Sequence, residues 1–281
     1  NLQKHCVRFE KEFAMFGTIL SGMSTSMFEI SVVSNNVANA GTTAFRKSNA
    51  SFADLYNGTS PETVSRTATG TGSIVEQTRQ SAKQGGMMER DGVLNMALAG
   101  NGMFVTTTPN SDGTPSEVLS FTRDGEFSLD ENGVLRSSKN DIVYGYDGLG
   151  GRGMQQLVVP FQNEDGAKLT ALEVGSDGEM LATYGSEDPR LVGQIAIALF
   201  PNTTAMRQMG MNRFKESRES GELVLGVAGS EGFGSIQTGA LESSNVDLTT
   251  EMTSMIRAQQ QFSGSSRILQ TYTDMIEKLT R

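Results

Sequence analysis

The chain has 281 residues and a mass of 30.1 kDa, enough for one large domain or two small ones with a buried core in either case. Asp and Glu number 32 against 23 Lys and Arg, a net charge of −9, which argues against general nucleic-acid binding because phosphate contacts need clustered cations. One cysteine and one histidine (Cys6, His5) exclude an intrachain disulfide, a His-rich metal site and a triad with a second histidine; no apolar run reaches the roughly 20 residues of a bilayer span.

Residues 1–14 share no pattern with the rest of the chain and read as an upstream extension, expected to be disordered. They hold no apolar core of a secretory signal. From Met15 a helical pattern begins: Phe16, Met23, Ile30 and Val37 recur every seventh residue, and Leu20 and Met27 fill the intermediate spacing. Glu29 is the only charge between Met15 and Arg46, and Asn39-Ala40-Gly41 is a helix stop, with glycine the usual residue past a C-terminus.

The middle, residues 51–239, reads as strands and turns. Asp124-Gly125, Asp147-Gly148, Asp165-Gly166 and Asp177-Gly178 are hairpin-type dipeptides, with Asn101-Gly102 and Asn132-Gly133 beside them. Leu157-Val158-Val159 and the run from Leu191 to Phe200 suit strands. This spacing predicts a β-domain of hairpins rather than βαβ units. Gly70-Thr71-Gly72 and Gly148 to Gly153 lack the third glycine or the GK[ST] of a phosphate loop, and the Asp-Gly turns lack the alternating register of a calcium loop. Cys6 would have only His5 as a base, and no G-x-S-x-G elbow is present, so no catalytic constellation, cofactor site or metal site is expected.

The far end mirrors the first. Leu248, Met255, Phe262, Leu269 and Ile276 recur every seventh residue with Met252 between, and Asn245 or Asp247 starts the helix. The fold class is therefore mainly β: a central β-rich domain of hairpins (51–239), flanked by N- and C-terminal α-helices that pair as a coiled coil (15–50 and 240–281). Two such ends can pair only with each other or with copies from neighbours, as in a chain that polymerises head to tail, unless they pack on the middle as ordinary core. On this reading Phe262→Asp blocks assembly by placing a charge in an apolar contact, and Glu242→Gln is milder because it only removes one.

Ser34-Asn35-Asn36-Val37-Ala38-Asn39-Ala40 followed by Thr42-Thr43-Ala44-Phe45-Arg46 resembles the opening motif of the axial proteins of the bacterial flagellar rod and hook. Phe52 to Tyr56, Leu94 to Phe104 and Phe121 to Gly125 extend the likeness, and Gly239-Ala240-Leu241-Glu242-Ser243-Ser244-Asn245-Val246-Asp247, with Glu251-Met252 and Met255 to Gln259, is its most specific part. The resemblance covers Met15 to about Leu279. Asn95, Met103 and Gln260-Gln261-Phe262 depart from the usual pattern. Hook proteins usually carry a further outer domain, whereas only about forty residues, Asp147 to Pro189, lie between the halves here, so that domain is expected to be absent or vestigial. Length and Val192 to Ile195 resemble the distal rod; Phe52 to Tyr56 and Tyr144 to Tyr146 lean toward the hook.

The resemblance implies a non-enzymatic structural subunit of the basal-body rod/hook axis, without cofactors. It would polymerise into a helical tube that transmits torque from motor to filament and serves as an export channel. The implied partners are copies of itself, neighbouring rod or hook subunits and the flagellar export apparatus, with no nucleic acid and no small-molecule substrate; export would need no signal peptide. The expected assembly interface is Phe16, Met23, Asn35, Asn36, Asn39, Leu241, Asn245, Leu248, Met255, Phe262, Leu269 and Ile276. The competing reading is a secreted β-rich binding module or adhesin.

Overall fold

The structure is a computed structural model that describes the backbone of residues 2–56, 70–110, 112, 114–147, 153–163 and 166–280, with side-chain environments from Met15 onward except at Tyr56 and residues 279–281. Helix α1 is Leu2–Ala38, so in its side chains the extension read over residues 1–14 lies outside the described residues. The helix stops where Asn39 turns back on it: both the backbone N–H and Nδ2 of Asn39 donate to the Asn35 carbonyl, at 3.2 and 2.9 Å. The left-handed residue after the helix is Ala44 (φ 56°), not Gly41.

The 24 residues Met15–Ala38 are, by length and composition, apolar enough to cross a membrane, which corrects the expectation that no such run exists. Serines and glycines hide the run from the eye, yet a single charge among Met, Phe, Ile, Leu and Val leaves the average apolar. In the fold this helix buries polar Thr25, Ser26 and Asn36 against protein, as a helix packed on other elements does.

Two compact units emerge. The helix unit comprises residues 1–40, 47–81 and 246–281, and the sheet unit residues 41–46 and 82–245. In the helix unit α1 packs along α2 (Leu248–Thr280), and strands β1 (Ser48–Tyr56) and β2 (Gly70–Gln80) form an antiparallel ribbon on α1. The ribbon sits close because β2 carries glycine where it meets the helix: a Cβ on Gly72 (φ 120°) would lie 2.1 Å from Ser21 Oγ. Ser73 then donates its N–H to that same oxygen at 3.3 Å and shares a hydroxyl contact with Thr25 at 3.3 Å.

The sheet unit holds β3 (Met87–Glu89), β4 (Met96–Ala99), β5 (Met103–Pro109), β6 (Pro115–Thr122), β7 (Phe127–Leu129), β8 (Leu135–Ser137), β9 (Ile142–Asp147) and β10 (Met154–Gln156). It continues through β11 (Leu169–Val174), β12 (Glu179–Tyr184), β13 (Arg190–Leu199), β14 (Arg207–Gly210), β15 (Arg213–Lys215), β16 (Val224–Val227), β17 (Ser235–Thr238) and β18 (Ala240–Glu242). The main path runs β11-β12-β13-β9-β5-β6-β15-β14, antiparallel throughout, while β4 pairs β17 and β3 pairs β18. Period-2 alternation sends the two faces of this sheet into two cores. One gathers Leu98, Phe104, Leu135, Met180, Ile195 and Ile197 with their neighbours; the other gathers Met103, Val105, Phe121, Phe200 and Phe214. Each has an edge-to-face ring pair, Phe104–Phe127 at 5.1 Å and Phe121–Phe200 at 4.8 Å.

Of the turn dipeptides, Asn132-Gly133 links β7 to β8 and Asp177-Gly178 links β11 to β12, both as hairpins. Asp124-Gly125 and Asn101-Gly102 are not hairpin turns; they lead into β7 and β5. Gly125 is demanded by close approach instead, since a Cβ there would lie 1.6 Å from the Met96 carbonyl oxygen. Asp147-Gly148 and Asp165-Gly166 each fall partly outside the described residues. Leu157-Val158-Val159 makes a single bridge, Val134↔Val158, rather than a strand, although Leu157 and Val159 are core residues. Between Asp147 and Pro189, β11 and β12 extend the sheet itself past β13.

Candidate assembly surfaces

The helix unit is keyed by one buried polar cluster. Asn36, near the end of α1, donates from Nδ2 to Ser48 O at 2.8 Å and to Glu251 Oε2 at 2.9 Å, and its Oδ1 accepts the Ser48 N–H at 2.9 Å. Lys47 Nζ closes the cluster on Glu251 Oε1 at 3.3 Å. One asparagine thus joins α1, the start of β1 and the first turn of α2. Asp247 caps α2 by accepting from Thr249 N–H at 2.9 Å and from the Thr250 hydroxyl at 2.8 Å. The Thr250 and backbone hydrogen bonds hold its carboxyl below the usual range, with a smaller contribution from Lys47.

Along α2 the residues turned inward are Glu251, Met255, Ala258, Phe262, Ser265, Leu269 and Tyr272, a 4-3 alternation. Much of this seam is small or polar: the site where Gly22 would carry a Cβ lies 3.9 Å from Ser265 Oγ. Large apolar side chains are left outside. Met27 on α1 and Met252, Ile256, Ile268 and Met275 on α2 are each more than half exposed.

The sheet unit has its own polar key. Arg123 Nη1 pairs with Glu242 Oε2 at 3.2 Å, and Arg123 Nε donates to the Gly102 carbonyl at 2.8 Å. Glu242 Oε1 also accepts the Gly85 N–H at 3.1 Å, and its backbone carbonyl accepts the Ala44 N–H at 2.8 Å. Arg46 is buried beside the pair; burial and then Arg123 lower its pKa to about 10, against the pull of Glu242, so it remains charged at neutral pH. Segment 41–46 is fastened further by Thr43, whose hydroxyl donates to Asp124 Oδ1 at 3.2 Å and whose carbonyl accepts from Asn212 Nδ2 at 2.7 Å. Glu242 is therefore the centre of a buried charge cluster, and the expectation that Glu242→Gln is mild does not fit its surroundings.

The expected interface residues divide accordingly. Phe16, Leu248 and Ile276 are exposed, and Met23, Met255, Phe262 and Leu269 are half-buried. Asn35 is exposed and Asn39 serves the helix stop. Asn36 is buried in the helix-unit cluster, whereas Leu241 is buried in β18 and Asn245 donates from Nδ2 to the Lys83 carbonyl at 2.8 Å, both inside the sheet unit. Glu251, Arg123 and Arg46 were missed as organising residues. For Glu251 the signal is a charge at an inward position of an apolar-periodic helix; Arg46 and Arg123 stand beside other charges, Lys47 and Asp124, and carry no such signal.

Residues 237–281 match the family described as "Flagellar basal body rod FlgEFG protein C-terminal", and residues 97–182 match "Flagellar hook protein FlgE/F/G D1 domain". Over 269 residues the chain is 31% identical to the flagellar basal-body rod protein FlgG of Borreliella burgdorferi, covering 92% of this chain and 94% of that protein. It is 30% identical over 270 residues to the FlgG of Bacillus subtilis, covering 92% and 95%. The flagellar hook protein FlgE of Salmonella typhimurium is 34% identical over 120 residues, 42% of this chain and 30% of that protein.

Proposed function

The chain belongs to the flagellar basal-body rod and hook family, a structural and non-enzymatic one whose members assemble with other subunits of the axis, and from that premise we propose that it fills a rod slot of the kind held by the FlgG relatives. What supports rod over hook is extent: likeness to the rod proteins runs along nearly the whole chain, whereas likeness to the hook protein stops after 120 residues.

The observation that carries the mechanism is the outward apolar face of the helix pair. Met252, Ile256, Ile268 and Met275 cost free energy in water, roughly 25 cal/mol for each Å² left exposed, and the same faces on neighbouring copies would remove that cost. The tube so formed transmits torque from motor to filament and leaves a lumen for export. The chain itself travels through the flagellar export apparatus to reach the growing end. Electron microscopy of basal bodies from a strain lacking this chain tests the slot. Rods that end before the hook, restored by the wild-type chain, are expected; complete rods bearing only hook defects would move the chain to the hook.

A further inference from the structure

The two ends of the main sheet carry opposite charges that nothing among the described residues answers. At one end the β14–β15 ribbon sets Arg207 directly across from Lys215 in the Cα register. Like charges directly opposed on an antiparallel pair are destabilising, and Lys215 is half-buried as well. At the other end Glu173 on β11 and Glu179 on β12 are both exposed. The register Glu173↔Leu181 and Val174↔Met180 puts them on the face opposite the core residues Val174 and Met180. Among the described residues none of these four side chains has an ion-pair or hydrogen-bond partner. β14 and β11 are also the ends of the path, although the outer edge of β11 is met at its start by segment 161–163, where the Phe161 carbonyl accepts the Leu169 N–H at 2.9 Å.

We propose that copies of this chain meet head to tail through these ends, the Arg207/Lys215 pair of one copy against the Glu173/Glu179 pair of the next. The inference rests on the reading of the chain as a polymerising axial subunit and adds which surfaces of the sheet unit meet. A cationic end and an anionic end on one molecule cannot satisfy each other in an isolated copy. They satisfy each other in a series, and a heterologous contact of this kind propagates without closing on itself. Exposed ion pairs add little affinity, so their work is register: cation against cation or carboxylate against carboxylate repels a misplaced neighbour.

The test uses the full chain in three forms: wild type, Arg207→Glu/Lys215→Glu and Glu173→Lys/Glu179→Lys. Circular dichroism melts establish folding, and sedimentation gives the concentration at which each assembles. Each reversed form alone is expected to need at least about tenfold more protein than wild type, and an equimolar mixture to return to within about twofold, because each altered end then finds its opposite in the other form. Reversed forms that assemble like wild type, or a mixture that gains nothing, overturn the proposal while wild-type assembly leaves the axial reading intact. A wild-type chain that assembles at no concentration overturns the axial reading, and this inference with it.

Discussion

The two units solve the problem of burial in opposite ways. The sheet unit places its largest side chains inside: Phe104, Leu98, Leu135, Ile195 and Ile197 have no exposed surface. In the helix unit small and polar groups share the seam with Met255, Phe262 and Leu269, while Met27, Met252, Ile256, Ile268 and Met275 lie outside. Each unit holds a buried polar cluster, Arg123–Glu242 beside Arg46 in the sheet unit and Asn36–Glu251–Lys47 in the helix unit. The contrast teaches that amphipathicity alone does not say where a core is. One unit has finished its core, and the other keeps its apolar surface for something else.

The largest losses are expected in the sheet core. Phe104→Ala is expected to cost about 3–5 kcal/mol of unfolding free energy in urea melts, the range for a large aromatic lost from a closed core. A loss near zero would show that the sheet core is not packed as described. Glu242→Gln comes next, at about 3 kcal/mol, because it leaves Arg123 and Arg46 buried without their carboxylate. Denaturant midpoints of the two variants side by side decide the ranking.

The helix unit should answer differently. Ile256→Asp lies on the outer face of α2 and is expected to leave the melting of the isolated chain within about 0.5 kcal/mol of wild type while abolishing assembly in a sedimentation assay. Phe262→Asp, half-buried in the seam, should damage both. Equal effects of the two on the monomer would erase the distinction between seam and outer face. The smallest effect belongs to Asp247. Its carboxyl is held below the usual range in the folded chain, so the cap contributes above the ordinary carboxylate range and is lost as pH falls through the lowered value. The protection of the Thr249 amide, its exchange relative to the free-peptide rate at the same pH, should fall at that acidic end, and Asp247→Ala should remove that pH dependence of the protection.

Much of this architecture is legible in the residues. The heptad spacing from Phe16 to Val37 and from Leu248 to Ile276 gives both helices, and Asp177-Gly178 gives its hairpin. The seam is not legible in the same way: periodicity marks which face is apolar, but not whether that face meets its own chain. Glu251 in the seam and Glu242 in β18 escape for a second reason. Their partners Asn36 and Arg123 lie 215 and 119 positions away, and local pattern carries no information at that range. The membrane-length apolarity of Met15–Ala38 was hidden by its serines and glycines.

The discontinuity of the helix unit also sets an order of events. The sheet unit is drawn almost entirely from residues 82–245, so its contacts can form as that stretch becomes available. The helix unit needs Asn36 to meet Glu251 across 215 positions, and closing so long a loop is entropically costly until the intervening chain has condensed. In refolding, α1 should therefore wait, its apolar face uncovered, until the sheet has shortened the distance to α2. That waiting species is the one most exposed to wrong association, and a slow final phase reporting on helix pairing, sensitive to Asn36→Ala but not to Phe104→Leu, would be its kinetic trace.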